Sequence, residues 1–472
     1  MTSFRALAKT GAAVRVLTIA ATVSVGLSGC ALLEKANVFD KSVNKSVASQ
    51  GERIPVLPAQ DVVTPSAALK GQDFSLPAPA VMAEWPVPGG NAEQSVEHVA
   101  AAPNLQIAWR RGLGVQGVNR AHFVTAPPVM AEGKVFAMDG QAHVSAWDAK
   151  SGARLWEVDM RPRGRDDRRD RDAYGGGLAY AEGKLFVTSG FRLIAAVDPK
   201  NGRTLWETRT DQPLHGAPNV SDGRVFTVTL DDELLAFATD KGAQIWNYQA
   251  IIEPARILAA SSPAISGDTI VTGFASGELI AQRAPNGNDL WTQALSQSNR
   301  NNALSEIRDI AGRPIIYKGD VLAASHAGLF SAIDLRTGSP RWTIPLSSQT
   351  TPWAAGDVVY VISTAGQLVC VARESGQVYW VQDLNAAPPA NTTRGRRRKA
   401  PKTPKKAYWS GPVLASGRLI MVSSNGDLQS RDPKTGDLQR TIRLGSPAMQ
   451  SPIAAGDMLY LVTEKAELIA FR

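Results

Sequence analysis

The side chains able to do chemistry in this sequence are few and far apart. His98, His122, His143, His215 and His326 are its histidines, and Cys30 and Cys370 its cysteines. None of them stand at the short spacings from which metal sites or redox pairs are built. Gly-x-Ser-x-Gly, Cys-x-x-Cys and phosphate-loop motifs are absent as well. The acidic residues collect in turn-like settings such as Asp148, Asp198, Asp334 and Asp432. This pattern predicts no catalytic residue, no metal site and no cofactor, with the histidines on the surface or in turns. Cys370, inside the strand-like run GQLVCVAR, reads as a buried apolar thiol. Cys30 is left as the residue whose surroundings point to a reaction.

Upstream of Cys30 lie Arg5, Lys9 and Arg15, then the apolar run Val16 to Leu27, then small residues. Basic, apolar and small in that order is the layout of an export signal, and the run falls short of the roughly 20 apolar residues of a membrane span. Leu27-Ser28-Gly29-Cys30 resembles the lipobox of bacterial lipoproteins, in which the cysteine is acylated and becomes the first mature residue. The resemblance implies a signal over 1–29 and a lipid anchor on Cys30. More than one acyl chain on that cysteine would make the anchoring stable. With Cys30 so occupied, no disulfide within the chain is expected. Residues 30–103, rich in Pro and Ala, read as a tether. Trp85 within it is costly to leave in water and is expected to dock on the folded domain.

The elements that would carry any site come from a repeat. Stretches such as VFAMDGQAHVSAWDAKSGARLWEVDM, VFTVTLDDELLAFATDKGAQIWNYQA and VYVISTAGQLVCVARESGQVYWVQDL recur seven times between residues 135 and 444. Each reads as strand, turn, strand, Gly turn and a last strand opening on Trp, and each is preceded by a further short strand such as SSPAISGD. Four short strands in about forty residues are the signature of a β-propeller blade. The chain ends on SPIAAGDMLYLVTEKAELIAFR, one strand short of a blade, while NLQIAWRRGLG at the front supplies a lone strand with Trp109 at the repeat position. The expected fold is therefore all-β: an eight-bladed propeller over 104–472, closed by strand pairing between the two ends. Trp156, Trp206, Trp246, Trp291, Trp342 and Trp380 occupy the position of Trp109, whereas the seventh repeat has Arg440 there. One Trp per blade reads as packing between blades with the indole N–H on a backbone acceptor.

The formal net charge of +8 comes largely from two insertions, 161–173 and 391–407. The first is nearly charge-balanced. The second is basic and Pro-containing with no apolar face, so it reads as a solvated loop. In an exported chain it does not predict nucleic-acid binding; anionic lipid headgroups or cell-wall material are the better candidate partners.

The repeat is similar to that of the pyrroloquinoline-quinone propellers, shared by periplasmic quinoprotein dehydrogenases and by the BamB family of outer-membrane β-barrel assembly lipoproteins. The dehydrogenase resemblance would imply a calcium site, an Asp base and adjacent cysteines; this sequence has no adjacent cysteines and is barely longer than its blades. The lipobox plus a single propeller resembles the BamB family across nearly the whole chain. That resemblance implies a non-catalytic scaffold on the outer membrane, facing the periplasm. It also implies binding to the POTRA region of BamA, with other assembly subunits and nascent outer-membrane proteins as further partners. The segments EPARILAASSPAISGD and NNALSEIRDIAGRPIIYKGD match the family's contact segments. Aligning on Pro263 places Ile257 and Leu258 at contact positions, with Arg256 able to supply the usual charge. Aligning on Pro314 places Asp309 at the first acidic contact, with Arg308 beside it and Ala311 where a second acid is usual. The alternatives are a generic exported binding propeller for a cell-wall or protein ligand and, after it, a quinoprotein dehydrogenase.

Overall fold

The computed structural model describes residues 63–114, 127–162, 173–253, 256–257, 261–296, 307–386 and 406–472. Cys30 and its export signal, Leu258, His122 and most of both charged insertions lie outside the described residues.

Eight four-stranded antiparallel sheets follow one another around a ring. Blade one is typical: Val129–Ala131 innermost, then Lys134–Met138, His143–Asp148 and Arg154–Asp159 outermost. Burial explains the alternation. The two middle strands are buried along their length, while the outer one exposes every second side chain. Arg154, Glu157 and Asp159 make that outer edge polar, which discourages edge-to-edge pairing with another chain. Blade eight is built from both ends of the chain. Ile453–Ala455, Met458–Thr463 and Glu467–Phe471 come from its close, and Ile107–Gly112 pairs antiparallel with the last of these. Eight blades and this closure are what the repeats and Trp109 predict.

The repeated Trp joins each blade to the next. Gly152 has φ +68°, and a Cβ there would stand 2.6 Å from the Trp109 ring, so the turn needs Gly to receive the indole. The indole N–H then donates to a carbonyl of the same turn: Trp109 to Ala149 at 3.2 Å, Trp156 to Pro199 at 3.0 Å, Trp342 to Arg373 at 2.7 Å. At Trp380 the pattern lapses: its indole N–H has no partner among the described residues, and the Pro433 carbonyl accepts from the Tyr360 hydroxyl at 2.8 Å. Arg440 follows from ring closure. The blade after it has no Gly turn at that place, only the incoming chain, and the Arg440 guanidinium donates to the Asn104 carbonyl at 2.8 Å. The long side chain does across the seam what an indole does elsewhere.

Residues 80–102 depart from the expected tether. They run as a strap across one end of the channel and bond to the blades in order. Trp85 exchanges main-chain hydrogen bonds with Met130, and the Pro86 carbonyl accepts from Tyr180. The Ala92 carbonyl accepts from the Asn219 amide and from the Ile265 N–H, and that of Glu93 from Ile316. The Glu97 carbonyl accepts the Trp353 indole N–H, Val99 donates to Leu414, and Ala102 donates to Asp457. The physical reason is the innermost strand of each blade, whose channel side has no neighbouring strand. Its amides and carbonyls need partners, and an aperiodic segment can meet eight of them where a regular strand could not. Trp85, expected to dock, is 1 % exposed.

Two histidines are also placed otherwise than expected. His98 is buried, Nδ1 bonding the Pro77 carbonyl and Nε2 accepting from the Gly417 N–H, and so ties the strap to blade seven. His215 is buried as well and packs against Tyr174. Cys370 is fully buried, which pushes its thiol well above the ordinary range and leaves it inert. Among the described residues no helix is long and apolar enough to cross a membrane.

Candidate functional site

The strap occupies the end of the channel where first and second strands of each blade turn. At the other end, the mouth, the connections between blades converge with the turns between second and third strands. A propeller holds such loops on a rigid ring, so they can be presented to a partner at little ordering cost.

Arg256 and Ile257, between blades three and four, lie at this mouth. Ile257 donates its N–H to Asp309 Oδ2 at 2.9 Å, and Asp309 lies just before blade five. Arg256 donates to the Glu253 carbonyl at 2.7 Å and stands 3.6 Å from Asp232 Oδ2 and 3.9 Å from Asp231 Oδ1, on the blade-three turn. Asp232 in turn accepts the Ala275 N–H of blade four at 3.1 Å. The structure thus brings Arg256, Ile257 and Asp309 together, which the sequence placed in two separate segments. It also shows how each is bonded within the chain. Asp309, expected to orient a partner, is 5 % exposed and turned inward, because its carboxylate is needed as acceptor for the Ile257 N–H. Arg256 is engaged with the blade-three carboxylates. Arg308 is exposed as expected. Ile257 is the member held up to the mouth.

Opposite Ile257 opens an apolar cleft of about 570 Å³, walled by Ile362, Tyr408, Trp409, Pro447 and Met449 of blades six to eight. Two of its wall residues are exposed, Tyr408 at 68 % and Met449 at 38 %; Ile251 and Ile252, just after the last strand of blade three, are 60 % and 55 % exposed. These residues escaped the sequence reading. The available signal was Ile251-Ile252 itself, two β-branched apolar residues just after a blade's last strand, where no sheet can cover them.

Burial and the neighbouring Asp232 push the Asp309 carboxyl up to about 6, against opposing help from the Ile257 N–H and Arg256. Burial likewise raises Asp232. Because folded Asp309 holds its proton more tightly than the unfolded value of 3.8, this group stabilises the fold as pH falls from about 6 toward 3.8. Above that window its ionised form is a cost. Asp309→Asn keeps an acceptor for Ile257 and removes the charge. The variant is expected to gain on the order of 2 kcal/mol over the natural chain at pH 7.5, and much less at pH 4.5. Urea unfolding at both pH values measures it; an equal difference at the two would refute the burial argument.

The amino-acid sequence model of the family "Outer membrane protein assembly factor BamB" matches residues 140–382, more than half of the chain. The chain belongs to the BamB family. A BamB of Alkalilimnicola ehrlichii is 29 % identical over 365 residues, covering 77 % of this chain and 87 % of its own. The crystal structure of BamB from Moraxella catarrhalis superposes with a TM-score of 0.62 at 16 % identity, over 78 % of this chain and 99 % of that one. Quinohemoprotein alcohol dehydrogenase from Comamonas testosteroni shares the fold equally well, with a TM-score of 0.62 at 14 % identity, over 83 % and 80 % of the two chains. The dehydrogenase likeness extends to the fold alone. The channel chamber here measures about 160 Å³ and is walled by the strap, below the roughly 300–1,000 Å³ of cofactor pockets. Among the described residues no three His, Cys, Asp or Glu gather to hold a metal.

Proposed function

We propose that this chain is a non-catalytic scaffold in the assembly of outer-membrane β-barrel proteins. It is held at the outer membrane by lipid on Cys30, with the propeller in the periplasm, and binds the POTRA region of BamA through the segment carrying Ile257. The observation that supports this most is the apolar cleft that Ile257 shares with the exposed Tyr408 and Met449. Ile257, held by Asp309, lines the cleft with Tyr408 and Met449, and Ile251 and Ile252 are exposed just after the last strand of blade three. Apolar residues fixed on a rigid base supply affinity without ordering cost, and Arg308 at the rim supplies steering.

The test is a detergent pull-down from the native membrane. The natural chain is compared with a variant carrying Ile252→Asp, Ile257→Asp and Arg308→Glu, all partly or fully exposed positions that leave the buried clamp intact. BamA is expected to co-purify with the natural chain and to fall at least about tenfold with the variant, the size of a hot-spot loss. Absence of BamA from both samples would leave a propeller that binds something else.

A further inference from the structure

Between the strap and the mouth lies a polar group that the packing of the blades does not explain. Arg313, in Gly312-Arg313-Pro314 just before the innermost strand of blade five, lines the chamber of about 160 Å³ together with Trp85, Gln94, Thr350 and Trp353. Its main-chain N–H donates to Thr351 Oγ1 at 3.2 Å. Its guanidinium has no carboxylate partner among the described residues, and its buried Nε has no acceptor. Loss of solvent draws its pKa down to about 10, which leaves it a cation at neutral pH. The residue keeps some exposure, but an Nε buried without an acceptor is costly, and an apolar side chain of the same size would serve the fold better there.

Gln94, on the strap, repeats the pattern. It is 3 % exposed and holds φ +60°, a left-handed conformation that a residue with a Cβ adopts at a cost. Its Nε2 donates to the Pro263 carbonyl at 3.2 Å, while its Oε1 is buried without a donor. The two indoles beside it have spent their N–H groups, Trp85 on Pro88 at 3.1 Å and Trp353 on Glu97 at 2.8 Å. They offer the chamber only apolar surface. At its open end the chamber shares Gln349, Thr350 and Met449 with the apolar cleft, so a solute can enter from the mouth.

We propose that this chamber binds a small organic carboxylate, with its carboxylate on the Arg313 fork and a hydroxyl or amino substituent toward Gln94. A volume near 150 Å³ accommodates a molecule about the size of benzene, which limits the ligand to a handful of heavy atoms. The planar guanidinium matches a carboxylate with two parallel hydrogen bonds. The orphaned amide oxygen selects a carboxylate that also brings a donor, and the Trp walls accept a short apolar body.

The test uses the purified full chain in detergent, titrated calorimetrically with L-lactate, L-alanine, acetate and inorganic phosphate. Lactate or alanine is expected to bind more tightly than acetate or phosphate. Arg313→Gln is expected to cost roughly tenfold to a hundredfold in affinity, the size of a lost hydrogen bond to a charged group. Gln94→Leu should remove the preference over acetate. Ligand-free Arg313→Met should unfold at the same or a higher urea concentration than the natural chain, since a lone charge has been removed. The proposal is overturned by an absence of saturable binding for all four solutes, by binding that Arg313→Gln leaves unchanged, by phosphate binding as tightly as lactate, or by an Arg313→Met chain less stable than its parent.

Discussion

A chain ending at Ala466 is expected to lose the folded state. The deletion removes Glu467–Phe471, the strand that pairs with Ile107–Gly112 on one side and Met458–Thr463 on the other. Leu468, Ile469 and Phe471 are fully buried, and each contributes about 1.5–3 kcal/mol by burial. Their sum is comparable with the roughly 5–15 kcal/mol that holds an ordinary domain together. The loss is greater than the sum, because a ring opened at blade eight exposes two unpaired edges. Expression of the truncated chain should yield material that is insoluble or digested by protease under conditions that leave the full chain intact. A soluble, protease-resistant product with an unchanged unfolding midpoint would sink the closure argument. The full-length chain with Phe471→Ala, which removes one ring and keeps the strand, should fold with a cost of about 3–5 kcal/mol.

The second large effect is expected at Trp85. Replacing it with Ala should cost about 3–5 kcal/mol in urea unfolding, as for other fully buried aromatic residues. Its ring lies 6.4 Å from that of Trp353 at an interplanar angle of 15°, its N–H is bonded to Pro88, and its main chain pairs with Met130. Trp85→Phe, which keeps much of the volume and drops the indole N–H, should cost less than half as much. A tether residue resting loosely on a domain would show neither loss. An unchanged midpoint for Trp85→Ala would therefore return residues 80–102 to the role the composition suggested. The same argument extends to fragments: a chain starting at residue 104 would lack partners for the channel side of all eight blades.

The BamB family membership, the blade count and the Trp contacts share one origin. Each is written locally, about every forty residues, in a pattern whose parts touch within a blade or between neighbouring blades. Trp156 meets the turn at Gly202 in the way Trp206 meets the turn at Gly242, so one unit read correctly decides the others. Even the termini obey the period, which is why Trp109 was enough to locate the eighth blade. The candidate site was legible only in outline. Ile257 and Asp309 are legible as members of two segments, but the inward turn of the Asp309 carboxylate is not, because an inward carboxylate and an outward one have the same local sequence.

The sequence by itself determined that this is a closed eight-bladed ring, because hydrophobic alternation, Gly turns and a Trp per blade are short-range and repeated. Only the tertiary structure decided what fills and borders that ring. The strap's partners are mostly main-chain amides and carbonyls, which carry no side-chain signature, and many lie far away in the chain, as Val99 from Leu414. The Asp309 clamp, the apolar mouth from Ile257 to Met449, and the unpaired Arg313 in the channel all arise where residues from different blades meet, and their meeting depends on the ring having closed.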